Sequence, residues 1–204
     1  MFMKQNTSQL ILDVARSIVR NRGYSAFSYA DIAKEVGIRK ASIHYHFPAK
    51  DDLVKELVKD YRQTLVVKLR EIEKGELTPQ EQLQEFVNLY RDGLQNEQIC
   101  LCGMLSADFS VLSVDVKKEL QLYLEVTQAW LSKLLHRGIE EQVWQCSQPL
   151  ELEAKTMIAI LQGTQLLARI SEDSIATFDS ITRGLLKNKF NFDYHNAKSF
   201  VVET

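Results

Sequence analysis

Proline and glycine are scarce in this chain, three and eight among 204 residues. A β-rich domain of this length needs many tight turns that draw on both residue types, so the shortage argues against one. Three cysteines, an odd number, argue against a disulfide framework and make a reducing, cytoplasmic setting the default expectation. No apolar run approaches the roughly 20 residues of a membrane span. Met1 to Leu10 is polar and predicts no signal-peptide core. The sequence has no GxSxG, no glycine-rich phosphate loop and no HExxH, so no enzyme constellation is legible. Internal repeats and low-complexity tracts are also missing.

What remains is rich in Leu, Glu, Lys, Gln and Ala, and 45% of the residues are hydrophobic. These helix formers predict an all-α fold with a substantial core. The formal net charge of −2 hides an asymmetry. Residues 1–50 hold eight bases and three acids, a net of +5; the remaining residues hold 17 bases and 24 acids, a net of −7. A basic head on an acidic body suggests a polyanionic partner for the head.

Periodicity places a helix at about Thr7–Arg22, with Ile11, Ala15, Ile18 and Val19 on one face and Gly23 as its stop. Ser28, three residues before Asp31, opens a second helix in a capping-box variant; Ile32, Ala33 and Val36 form its inner face and Gly37 the turn after it. A third covers about Lys40 to Phe47, ended by Pro48. A long fourth runs from near Lys50 to Glu73 on a stripe of Leu53, Leu57, Tyr61, Leu65, Leu69 and Ile72. Glu73 to Pro79 reads as a linker. Further helices are predicted at about Gln80–Gln95, Gly103–Phe109, Val114–Gln142, Leu150–Ser171 and Asp173–Lys187.

In the third helix Ile43 and Phe47 point inward together, so Ala41, Ser42 and Tyr45 point out, flanked by His44 and His46. Small and hydrogen-bonding side chains of this kind fit a major groove. Lys40 and Lys50 bracket the helix as phosphate partners. The amino end of the fourth helix offers N–H groups and a positive dipole end to another phosphate. His44 and His46 stand about 200° apart around the helix and so do not share a metal ion.

Gly23-Tyr24, Ser28, Asp31-Ile32-Ala33, Val36-Gly37, Lys40, Ser42-Ile43, Tyr45-His46-Phe47 and Lys50 together resemble the tetracycline-repressor (TetR) family of bacterial regulators, over about Leu10 to Val58. The resemblance implies about nine helices. It implies a helix-turn-helix DNA-binding domain at 1–52, a ligand-binding and dimerisation domain at 53–189, and a tail at 190–204. It makes Ser28, Tyr29, Lys40, Tyr45, His46 and Lys50 phosphate contacts, and places Ala41 and Ser42, joined by His44, near the base edges. Three positions depart from the pattern. Arg39 stands where a Ser or Thr caps the recognition helix and adds a cation to the DNA face. His44 replaces a Tyr. Ala49 replaces the cap of the fourth helix, a loss of ~1 kcal/mol.

The expected partners are duplex DNA, a second copy of the chain and a small-molecule effector, with no cofactor and no metal. The effector site is expected among Phe86, Tyr90, Met104, Asp108, Phe109, Tyr123, Gln128 and Trp130, apolar groups with Asp108 and Gln128 as polar anchors. Cys100 and Cys102 form a CxC whose segment, CLCGMLSADF, resembles that of electrophile-responsive repressors in the same family. Cys100 is thereby the candidate redox or electrophile sensor. Cys146, beside Trp144, reads as a packed residue. Ala154, Ile158, Leu161, Gln165 and Ala168, with small Ala159 and Gly163, form the expected dimer stripe, joined by Ile175, Phe178, Ile181 and Leu185. The function expected is a homodimeric repressor released from a palindromic operator by an inducer. The alternatives are an activator or ligand-independent regulator, and a helical small-molecule-binding protein or enzyme without specific DNA binding.

Overall fold

The computed structural model describes residues 7–190. Nine α-helices are present among the described residues. They are α1 (Thr7–Arg22), α2 (Tyr29–Val36), α3 (Lys40–His46), α4 (Lys50–Lys74), α5 (Pro79–Leu94), α6 (Leu101–Ala107), α7 (Val114–Glu140), α8 (Leu150–Arg169) and α9 (Ser174–Phe190). A 3-10 turn, Phe109–Val111, separates α6 from α7.

Local chemistry sets the helix ends. The Asp31 carboxylate accepts from the Ser28 N–H at 2.8 Å and from the Ser28 hydroxyl at 2.6 Å, which fixes the start of α2. Gly37 ends α2 at φ 75°, the left-handed region that a Cβ disfavours. Arg39 supplies no side-chain cap to α3, as its chemistry predicts. Ala49 cannot cap α4 either, but the Asp52 carboxylate accepts the Ala49 N–H at 3.0 Å, so half of a capping box survives without its hydroxyl. α5 has both halves: Thr78 Oγ1 accepts from the Glu81 N–H, and the Glu81 carboxylate accepts from the Thr78 N–H.

Some boundaries differ from expectation. The predicted linker shortens, because α4 continues through Lys74 and Pro79 already belongs to α5. α6 begins at Leu101 rather than Gly103. α9 runs through Phe190, whose buried ring packs 5.3 Å from the Trp144 ring. Residue 190 is therefore helix rather than tail, and the rest of the expected 190–204 tail lies outside the described residues.

The described residues divide into two compact units. The first takes those up to Leu65 together with Cys100–Leu124. It therefore holds α1, α2, α3, the first part of α4, α6 and the start of α7, a division that differs from the expected break at residue 52. Ile11, Ala15, Val19, Ile32, Ile43, Leu53 and Leu57 are fully buried. Ion pairs tie its helices: Arg16 to Asp60, Lys55 to Asp115 at 2.6 Å and Arg62 to Glu119 at 2.9 Å.

The second unit takes Val66–Ile99 and the residues from Glu125 onward. In it α5, α8 and α9 pack pairwise around Leu83, Phe86, Met157, Leu161, Phe178 and Leu186. Arg91 donates two hydrogen bonds to the Asp179 carboxylate of α9, at 2.7 and 2.9 Å, and Gln165 Nε2 donates to the Tyr90 carbonyl at 2.6 Å. The stripe expected to dimerise is corrected here: Ala154, Ile158, Leu161, Gln165, Ala168 and Phe178 are buried in this unit's own core.

Gly138 is a position of close approach. A Cβ there would fall inside the Trp144 indole, whose Nε1 donates to the Leu135 carbonyl at 3.0 Å. Gly138→Ala is predicted to destabilise the chain by about 1–3 kcal/mol through overpacking, measured by urea unfolding. An unchanged midpoint would show that the indole shifts freely.

Candidate nucleic-acid interface

The seven residues of α3 sort as their spacing predicts. Ile43 is fully buried and Phe47, its C-cap, nearly so. Arg39, Lys40, Ala41 and His44 are exposed, Ser42 and His46 are half-buried, and Tyr45 is 84% exposed. An aromatic ring left this open has no packing role of its own. The Tyr45 ring meets the ring of its neighbour His46 nearly at right angles, at 5.2 Å between centroids. His44 leans back, its Nδ1 3.3 Å from the Pro48 carbonyl and its ring edge-on to Tyr29 at 4.8 Å. The outer face thus presents a cation, two small side chains and a phenol, a set suited to a groove lined by phosphates.

Two expected phosphate contacts turn inward instead. Tyr29 is only 7% exposed. Its hydroxyl lies 2.8 Å from the Phe47 carbonyl and 2.6 Å from the Ala49 carbonyl, sharing one proton between the residues that join α3 to α4. Burial first, and the Asp52 charge second, push its pKa up to about 12, so it stays a donor. Lys50 Nζ donates to the Tyr24 carbonyl at 2.6 Å and the Phe27 carbonyl at 2.7 Å. The same ammonium sits 4.3 Å and 4.2 Å from the Tyr24 and Phe27 ring centroids. Burial lowers its pKa.

At the amino end of α4 the Asp52 carboxylate accepts the Ala49 N–H, and the Asp51 carboxylate accepts from the Tyr24 hydroxyl at 2.6 Å, so two acids stand beside the N–H groups expected to meet a phosphate. Burial and this bond to Asp51 push Tyr24 up to about 12. Ser28 is exposed, with its hydroxyl proton given to Asp31.

The family model described as "Bacterial regulatory proteins, tetR family" matches residues 11–57. A crystal structure of a TetR-family transcriptional regulator from Agrobacterium tumefaciens is 36% identical, with a TM-score of 0.85 over 90% of this chain and 97% of that one. The chain belongs to the TetR family. A TetR regulator from Legionella pneumophila is 29% identical, with a TM-score of 0.81 over 92% of this chain and 100% of that one. The HTH-type transcriptional regulator LmrA of Bacillus subtilis is 25% identical over 83% of this chain and 89% of its own length. This TetR-family chain is accordingly a DNA-binding transcriptional regulator and not an enzyme. Its helix-turn-helix is α2–Gly37–α3.

The residues expected to line an effector site divide between the two units. Met104, Asp108, Phe109 and Tyr123 belong to the first; Phe86, Tyr90, Gln128 and Trp130 to the second. The Asp108 carboxylate accepts from the Tyr24 N–H at 3.0 Å and the Ser25 hydroxyl at 2.7 Å, holding the α1–α2 loop. Phe109 is exposed, with the Lys117 ammonium 5.0 Å over its ring. Phe86 is fully buried, stacked on half-buried Trp130 at 5.3 Å and edge-on to Tyr90 at 5.6 Å. Among the described residues no group of three or more His, Cys, Asp or Glu could hold a metal ion, and no helix is long and apolar enough to cross a membrane.

The two lysines make opposite predictions. Lys50→Met keeps the aliphatic stem and removes hydrogen bonds from a charged donor, of about 1.5–3 kcal/mol each before solvent discount. It should lower the thermal midpoint by several degrees and leave the salt slope of duplex binding unchanged. Lys40→Ala should leave the midpoint alone and reduce that slope by about 0.9, one phosphate contact. The reverse pattern would return Lys50 to the DNA face.

Proposed function

We propose that this regulator is a cytoplasmic homodimeric repressor that reads a palindromic operator with paired α3 helices and is released by a small-molecule effector. The observation that carries the reading is the outward face of α3. Tyr45 stands almost fully in solvent beside Lys40, Ala41 and Ser42, while the opposite face of the same helix is locked by Ile43 and Phe47. Lys40, Tyr45, His46 and Arg39 are assigned to phosphates, and Ala41 and Ser42, flanked by His44, to base edges.

A second apolar face of α8 supports the dimer. Leu152, Ala159, Leu166 and Ile170 are exposed along one line of the helix, with half-buried Gly163 between them and exposed Leu167 beside it. Ile181 of α9 is exposed as well. Contiguous apolar surface of this kind marks an interaction site. The effector is assigned to the second unit, which holds the stacked Phe86 and Trp130 rings and, elsewhere on α7, half-buried Gln128.

Selection of bound duplexes from a random pool tests the reading. A palindrome whose half-sites lie about 34–36 Å apart, or a multiple of that, is expected for paired recognition helices; recovery of no preferred sequence would defeat the reading. For the dimer, an added carbon at Gly163 meets nothing within 4 Å. Gly163→Arg should therefore leave helix content intact and convert the dimer to monomer in sedimentation. A wild type already monomeric at micromolar concentration would contradict the dimer.

A further inference from the structure

Six residues, 23–28, join α1 to α2, and every polar group of Tyr24 among them is engaged. Its N–H donates to Asp108 Oδ2 at 3.0 Å, its carbonyl accepts from Lys50 Nζ at 2.6 Å, and its hydroxyl donates to Asp51 Oδ1 at 2.6 Å. The Ser25 hydroxyl donates to Asp108 Oδ1 at 2.7 Å. Both oxygens of one carboxylate thus hold two consecutive loop residues. That carboxylate is the C-cap of α6, a helix that begins behind buried Cys100, whose sulfur lies 3.5 Å from the Tyr123 hydroxyl. The approach of α6 to the loop is close. A Cβ at Gly23 would stand 3.3 Å from Asp108 Oδ2 and 3.5 Å from the Met104 methyl carbon, and Gly23 has φ 82°, in the left-handed region.

We propose that Asp108, far outside the helix-turn-helix, is a positioning residue for DNA reading: by fixing Tyr24 and Ser25 it sets the angle at which α3 meets the duplex. The effect on DNA rests on the assignment of α3 as the reading helix; the hold on the loop does not. The route from Asp108 to α3 is short and lies within the first unit. The Tyr24 and Phe27 carbonyls hold Lys50 Nζ, and Lys50 is the first residue of α4, next to the Phe47–Ala49 corner where α3 ends. On the far side of the loop, Tyr29 opens α2 and donates to the carbonyls of that same corner. Asp108 also acts on Lys50 through its charge. Burial lowers the Lys50 pKa, and the Asp108 carboxylate is the foremost influence opposing that fall. Without the carboxylate, the Tyr24 N–H and Ser25 hydroxyl turn to water, and the ammonium keeps its carbonyls only on a looser loop.

Other roles for this acid predict different outcomes. Asp108 is a negative charge on a protein that binds a polyanion. If charge alone mattered, neutralising it would tighten binding to every duplex alike. If it served stability alone, its loss would lower the thermal midpoint and leave the affinity of the folded molecules unchanged. Positioning predicts neither. It predicts a folded variant that binds its preferred sequence more weakly and an unrelated sequence as well as before, because base contacts need the exact angle of α3 and phosphate contacts tolerate a looser one.

The test titrates full-length Asp108→Ala, Ser25→Ala and the double variant with a pool-selected duplex and with an unrelated one, well below the thermal transition. Asp108→Ala should lose at least about tenfold on the selected duplex and nothing on the unrelated one. Ser25→Ala should lose about threefold, and nothing further beside Asp108→Ala, because the hydroxyl acts through that carboxylate. The Tyr24 amide should exchange its hydrogen at least about tenfold faster in Asp108→Ala. Asp108→Asn, of the same shape, carries the same comparison if Asp108→Ala loses helix content. Affinity for the selected duplex that is unchanged or raised, or that falls equally on both duplexes, overturns the proposal. So does a Ser25→Ala loss that persists in full beside Asp108→Ala, which would make Ser25 a DNA contact in its own right. A wild type with no preference for any duplex overturns the reading of α3 instead, and exchange at Tyr24 still decides whether Asp108 holds the loop.

Discussion

A single ammonium group ties the loop between α1 and α2 to the first residue of α4. Lys50 Nζ sits against two carbonyls and two aromatic faces of Tyr24 and Phe27. Four attractions on one charge offset part of what burial costs it, and its pKa stays below the ordinary lysine value. Tyr29 closes the other side by bonding to the carbonyls of Phe47 and Ala49. Between these two anchors α3 has little freedom to roll. Only its core side is fastened, which is why Tyr45 can stand in solvent without packing support.

The same loop is held a second time from α6, through Asp108. This gives the first unit an organisation that a linear division into reader and body does not capture. The residues that fix the reader include a segment more than 80 positions downstream of Tyr24 and Ser25. A change at α6 has a short covalent and hydrogen-bonded route to the reader, and no second copy is needed for that route to exist. Coupling free energies of about 1–3 kcal/mol change affinity 5–150-fold, comparable to breaking one or two such bonds.

Much of this was legible in the sequence, and the errors have physical causes. Helix existence followed from apolar spacing, and the limits of α1 were read to the residue. Tyr29 falls at i, i+3, i+4 and i+7 with Ile32, Ala33 and Val36, so its inward direction was present in the pattern; the family resemblance outweighed it. Lys50 was not legible in the same way, since its partners are backbone carbonyls 26 and 23 positions away, and a carbonyl leaves no mark in a sequence. On α8 the expected stripe mixed both faces: Ala154, Ile158, Leu161, Gln165 and Ala168 are core, while small Ala159 and Gly163 lie on the outer face. A helix apolar on two faces offers two stripes, and only packing against α5 and α9 decides which is core. The environment of Cys100 was missed because a search for nearby bases overlooks a phenol 23 residues on.

Chemical footprinting of lysines with and without a selected duplex tests the central claim most directly. Lys40, exposed at the start of α3, should lose its reactivity to acetylation when duplex is added. Lys68 and Lys74, exposed in the second unit, should keep theirs. Lys40 remaining as reactive in the saturated complex as in the free protein would contradict the assignment of α3 as the reading helix.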